Sequence, residues 1–88
     1  MLDFYFTNQF KKDLKLAEKR HYELEAFYDI VTKIIWEEPL PKYCREHKLH
    51  GDLEGFTECH VKGDWVITYI PSDEAITFFR TGTHSDLL

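Results

Sequence analysis

Two prolines, Pro39 and Pro41, divide this chain into halves that carry different hydrophobic periods. A proline has no backbone N–H to give to a helix, so a helical pattern running up to Pro39 stops there. Before the prolines the apolar residues recur at helical spacing. Phe10, Leu14 and Ala17 mark one helix, which Thr7 or Asn8 can cap, with Lys11, Lys12, Lys15 and Lys19 largely on its other face. Leu24, Phe27, Tyr28, Val31, Ile34 and Ile35 mark a second, over residues 23–38. After the prolines the period becomes two. Residues 56–62 and 65–70 read as strands joined by a tight hairpin at Gly63-Asp64, and residues 75–81 as a third strand after the turn at Ser72-Asp73-Glu74.

Leu2–Phe6 is a short strand ahead of the first helix. Residues 42–55 are polar and irregular, and the tail from Gly82 closes with a helical turn. The order is β-α-α-β-β-β, an α+β domain with two helices packed on one face of an antiparallel sheet. With 88 residues there is room for one domain, taken as 1–88. No apolar run reaches the ~18–20 residues that span a bilayer. The start of the chain lacks a basic stretch followed by an apolar one, so we expect a cytoplasmic protein with Cys44 and Cys59 as reduced thiols.

Charge argues at first against a nucleic-acid partner. The chain carries 11 Lys and Arg against 16 Asp and Glu, a formal charge of −5, whereas phosphate affinity rests on cations. The charge is unevenly spread: residues 1–20 and 39–51 each sum to +2, residues 21–38 to −4 and residues 52–88 to −5. Lys11 to Arg20 and Lys42 to Lys48 therefore remain available to face phosphate.

Antiparallel pairing gathers distant residues. His60 ends the second strand, Asp64 and Trp65 open the third, and Arg80 is expected to end the fourth, with His84 just beyond. All five fall at one end of the sheet, within possible reach of the loop at Arg45–His50. Imidazoles titrate near neutrality, so one can accept a proton while another donates. A guanidinium can stabilise a pentacoordinate phosphorus. RNA brings its own nucleophile in the 2′-hydroxyl, so this set suits RNA cleavage to a 2′,3′-cyclic phosphate without a metal. Trp65 would stack on an unpaired base. A structural reading also exists, in which Arg80 pairs with Asp64 or Asp86 and Trp65 caps the core.

The runs His47-Lys48-Leu49-His50-Gly51, Glu58-Cys59-His60-Val61-Lys62-Gly63-Asp64-Trp65 and Arg80-Thr81-Gly82-Thr83-His84 resemble the YafQ-type branch of the RelE/ParE toxin superfamily. So do Lys11-Lys12-Asp13-Leu14-Lys15-Leu16-Ala17 and Lys19-Arg20-His21 in the first helix. The resemblance implies a RelE-like fold and a cytosolic endoribonuclease that cuts mRNA in the ribosomal A site. It implies no cofactor or metal, and a cognate antitoxin that holds the toxin inactive. By motif it places His47, His60, Asp64 and His84 at acid–base positions, Arg80 at the phosphate and Trp65 at the mRNA. His84 and Asp64 form the favoured proton-transfer pair, with base and acid left open; His50 ranks below His47. Lys48, Lys11, Lys12 and Lys15 are the expected RNA-binding lysines. The family is generally basic, and its members often carry an aromatic where this chain has Leu88, so ribosome attraction and one stacking contact are the properties touched.

Other readings are a zinc site built from Cys44, His47, His50, Cys59 and His60, whose spacing fits no common finger, and a non-enzymatic ParE-like toxin or binding module on the same fold. An exposed sheet edge and an apolar groove would receive an antitoxin's extended or helical tail.

Overall fold

The expected elements form, and their edges differ in ways that shape the site. A computed structural model describes residues 1–87; Leu88, which stands where the resemblance leads one to expect an aromatic, lies outside the described residues. The chain runs β1 (Asp3–Phe6), α1 (Asn8–Lys19), α2 (Leu24–Ile35), β2 (His47–Lys48), β3 (Thr57–Lys62), β4 (Trp65–Pro71), β5 (Ala75–Thr83) and α3 (His84–Leu87). Single 3-10 turns flank β2 at Lys42–Cys44 and Gly51–Leu53, so the segment read as irregular carries a short edge strand.

Five strands make one sheet in the order β1-β5-β4-β3-β2. The strands after the helices pair antiparallel, as expected. β1 instead joins β5 in parallel, making the sheet mixed; no hairpin links the two, since two helices and three strands lie between them in the chain.

Thr7 caps α1 by accepting the Phe10 N–H at 3.0 Å. Both long helices end in the same way. His21 and Glu37 take left-handed backbone conformations, φ 59° and 57°. The next residue's N–H then reaches back five residues, Tyr22 to Ala17 and Glu38 to Lys33. This cap, formed ahead of Pro39, ends α2 at Ile35 rather than at Glu38. Phe10, Ala17, Phe27, Ile30, Val31, Ile34 and Ile35 of the helices pack on Cys59, Val61, Trp65, Ile67, Tyr69, Ile76 and Phe78 of the sheet. Alternation then turns Glu58, His60 and Thr68 to the opposite face.

Two bulges adjust that alternation. Val61 is the extra residue between the His60–Val66 and Lys62–Trp65 pairs, and Phe79 is the extra residue between Thr68–Arg80 and Tyr69–Phe78. Ile76 and Phe78 face the core, so strict alternation would have buried Arg80 beside them. The inserted Phe79 resets the phase. Arg80 turns outward, and Thr81 becomes the buried residue, donating its hydroxyl to the Val66 carbonyl at 2.8 Å.

Candidate active site

The open face of the sheet carries a cluster centred on Glu58, whose side chain is 11% exposed. Glu58 pairs with His47 across β2–β3 and with Thr68 across β3–β4, and Thr68 pairs in turn with Arg80. One row across the sheet therefore runs His47, Glu58, Thr68, Arg80. His84, at the start of α3, lies over this row. Its Nε2 is 3.0 Å from Glu58 Oε1 and its Nδ1 is 2.5 Å from Asp64 Oδ1.

Both nitrogens of His84 thus face carboxylates, which only accept hydrogen bonds, so both carry protons. Glu58, and then Asp64, raise the His84 pKa above the ordinary histidine value by favouring this imidazolium.

His60 is held differently. Its Nδ1–H donates to the Gly63 carbonyl at 3.0 Å, while Nε2 faces Arg45 Nη2 at 3.4 Å, an arrangement suited to the Nδ1–H tautomer with Nε2 as acceptor. The His60 and His84 rings lie 5.6 Å apart. His47 shares only the first of these contacts, with Nδ1 2.6 Å from the Arg45 carbonyl, while its Nε2 lies 3.7 Å from Glu58.

Arg80 sits within β5 rather than at its end, because the strand continues to Thr83. Its partner is neither Asp64 nor Asp86. Nε and Nη2 donate to buried Asp13 of α1 at 2.8 and 3.3 Å, a two-pronged clamp that also receives the Thr81 N–H at 3.1 Å. Arg80 Nη1 has no hydrogen-bond partner among the described residues. Asp86 instead takes Arg20 through two bonds of 2.7 and 3.3 Å and the Thr83 N–H at 3.0 Å. Those contacts hold the Asp86 carboxyl at about 2, with Arg20 the larger cause. They also tie α3, and with it His84, to the end of α1. A Cβ at Gly82 would lie 3.1 Å from the Asp86 side chain, which would have to give way.

Trp65 corrects an expectation. It is 5% exposed, stacked on Phe27 at 5.7 Å between centroids and tilted against Tyr22 at 5.0 Å. Its indole N–H donates to Thr81 Oγ1 at 2.8 Å. At that exposure it offers little surface to a base, and its place is in the core. Lys48 is exposed on β2; Lys11, Lys12 and Lys15 are exposed on α1, the helix whose Asp13 grips Arg80; His50 is exposed outside the cluster.

The zinc set does not assemble. Cys44 and Cys59 are fully buried in the core, and burial pushes both thiols up in pKa, away from the thiolates that bind metal. Among the described residues, the donors that do converge are Glu58, His60 and His84, with one ligand atom each and all within 4.8 Å of one another. Holding a divalent cation there would require His84 to give up a proton first.

Glu58 and Asp13 were absent from the residues singled out by sequence. Glu58 had a signal: it lies two residues from His60 on a strand, hence on the same face. Asp13 had one as well, being the lone acid on the apolar side of α1 between Phe10 and Ala17.

Comparison with known proteins bears on this arrangement. The family model described as the bacterial toxin of type II toxin–antitoxin systems, YafQ, matches residues 2–88. The chain belongs to the YafQ toxin family. It is 37% identical over 86 residues to the mRNA interferase toxin YafQ of Escherichia coli K12, covering 97% of this chain and 94% of that one. The crystal structure of YafQ from E. coli BL21(DE3) superposes with a TM-score of 0.95 at 35% identity, covering 100% and 99% of the two chains. YafQ in the E. coli DinJ–YafQ toxin–antitoxin complex gives 0.92 at 36% identity, covering 99% and 97%. A metal-bound toxin from Helicobacter pylori gives 0.92 at 33% identity, covering both chains fully. The α+β fold with helices against a five-stranded sheet is that of these YafQ toxins.

Proposed function

We propose that this YafQ-family chain is, as a single domain over 1–88, an endoribonuclease toxin that cleaves mRNA in the ribosomal A site without a metal, acts in the cytoplasm and is silenced by a bound antitoxin. The observation that carries this reading is the His84 imidazolium held between Glu58 and Asp64 beside the outward-facing Arg80.

In this mechanism His60 Nε2, its tautomer set by Gly63, removes the proton from the RNA 2′-hydroxyl, and His47 supports it from the neighbouring strand. The freed 2′-oxygen attacks the adjacent phosphorus. Arg80 Nη1 donates to a non-bridging oxygen as charge builds on the phosphorane, while Asp13 keeps the guanidinium from swinging away. His84 passes a proton to the departing 5′-oxygen and regains one from solvent, leaving a 2′,3′-cyclic phosphate and a 5′-hydroxyl. A nucleophile within the substrate and cations from the protein supply what the step needs.

The similarity to the mRNA interferase toxin YafQ and to YafQ in complex with the antitoxin DinJ supports the same activity and an antitoxin partner. Among the described residues no helix is long and apolar enough to cross a membrane. Lys11, Lys12, Lys15 and Lys48 supply the local positive charge that meets the RNA backbone.

Mapping mRNA 5′ ends in bacteria after induction tests the proposal. Wild type should create new ends at in-frame positions of translated messages, and His84→Ala should create none. If wild type creates none while both proteins slow growth equally, the nuclease reading is wrong.

A further inference from the structure

Resting on the endoribonuclease reading, we propose that Phe79, backed by Phe56, is a stacking shelf that holds the nucleobase next to the scissile phosphate. With Trp65 buried, the open face needs another aromatic surface if it is to grip a single strand, and the β5 bulge supplies one. The inserted Phe79 is 36% exposed and lies against Phe56 at 4.8 Å between ring centroids. Phe79 is exposed and Phe56 half-buried, and the pair lies beside a row of charged and polar side chains on the face away from the core.

The shelf is one wall of a cavity of about 120 Å3. Leu49 and Leu53 form its apolar side, and Glu58, Arg80 and His84 form its polar side. Its volume is well below the roughly 300–1,000 Å3 of a drug-sized ligand site, which suits one planar ring rather than a cofactor. The same three polar residues border both the cavity and the proposed site of bond cleavage. A phosphate against Arg80 and His84 therefore places its own nucleotide's base at the cavity mouth, with no further reach required. Bases stack on aromatic faces without regard to sequence, so this contact contributes grip and orientation.

The bulge links the two roles. One inserted residue turns Arg80 to the phosphate and presents Phe79 to the base, so phosphate and base contacts share a single backbone feature.

The test compares wild type with Phe79→Ala, Phe79→Leu and Phe79→Trp on ribosome–mRNA complexes, reading cleavage rate against mRNA concentration. Melting temperature and antitoxin affinity are measured alongside. Loss of one base stack should lower cleavage efficiency about ten- to a hundredfold in the Ala and Leu variants. Phe79→Trp should restore most of it, and the maximal rate at saturating mRNA should fall less than the efficiency does. Leu keeps apolar bulk without a π face, so an Ala defect absent from Leu would assign the residue to packing and overturn the proposal. Unchanged cleavage with weakened antitoxin binding would also overturn it, by making this an antitoxin contact. If wild type fails to cleave, the nuclease reading falls first; if wild type cleaves and all three variants match it, the shelf alone falls.

Discussion

Replacing Asp13 by Asn should expose how Arg80 is held. The Asp13 carboxylate, 8% exposed, takes donors on both oxygens: Oδ2 receives Arg80 Nε and the Thr81 N–H, and Oδ1 receives Arg80 Nη2 and Gln9 Nε2. An Asn side chain can keep its oxygen where Oδ2 was and so satisfy the first two. Its NH2 then meets Arg80 Nη2, a donor against a donor, and the charge assistance on Nε is lost. Gln9 can rotate to offer its own oxygen, so its bond survives. What remains is one charged hydrogen bond lost and another weakened, about 2 kcal/mol, with water relieving part of it because Arg80 is 28% exposed. For a domain of this size that is a fall of roughly 8–16 °C in Tm. Released from its clamp, the guanidinium should also cost about ten- to a hundredfold in maximal cleavage rate, with a smaller change in KM. Thermal melting by circular dichroism and cleavage kinetics check the two effects, with Glu18→Gln, an exposed acid on the same helix, as a control that should change neither. A double-mutant cycle with Arg80→Ala should show strong coupling. A Tm within about 2 °C of wild type together with a rate within twofold would refute the reasoning.

Three further outcomes follow from the geometry. The raised His84 pKa means that the ion pairs with Glu58 and Asp64 stabilise the fold fully below the ordinary value near ~6.5 and lose that effect as pH rises through the folded value. The alkaline limb of the cleavage profile should accordingly lie above ~6.5, and Asp64→Asn and Glu58→Gln should each move it down, Glu58→Gln by more; a limb that stays in place would refute the clamp. Gly82→Ala should push Asp86 off its seat, loosening α3, and cut cleavage by about tenfold or more through His84, measurable beside NMR shifts of the Thr83 and Asp86 amides; unaltered shifts would show that the close approach is tolerated. Glu37→Gly should stabilise the protein by roughly 1 kcal/mol by relieving a left-handed backbone at the α2 cap, read as a higher urea midpoint, and a lower midpoint would deny the strain.

Much of the architecture was legible in the residue pattern. The 3.6 and 2.0 periods located α1, α2, β3, β4 and β5, and antiparallel pairing brought His60, Asp64 and His84 together as their spacing suggested. The bulges were not legible, because a period of two carries no mark of where one residue is inserted. That single uncertainty hid the outward turn of Arg80 and the exposure of Phe79. Trp65 is a separate case: its first position in β4 put it on the core face with Ile67 and Tyr69, so plain alternation already spoke against an RNA contact. The partner of Arg80 lay out of reach for a different reason: Asp13 is 67 positions away, on an element whose placement beside β5 follows from the parallel pairing of β1. Glu58 was visible by alternation with His60. It became informative only once β2 and α3 set His47 and His84 around it.

The most direct test of the central claim asks whether His84 delivers the proton to the leaving oxygen. Cleavage by wild type and His84→Ala is compared on an ordinary mRNA and on one carrying sulfur in place of the 5′-bridging oxygen at the cleaved bond. A thiolate leaves without protonation. His84→Ala should therefore lose about 10²–10⁴-fold on the ordinary message and recover to near wild-type rate on the sulfur-bridged one. An equal deficit on both would contradict the account, because the general acid would then lie elsewhere.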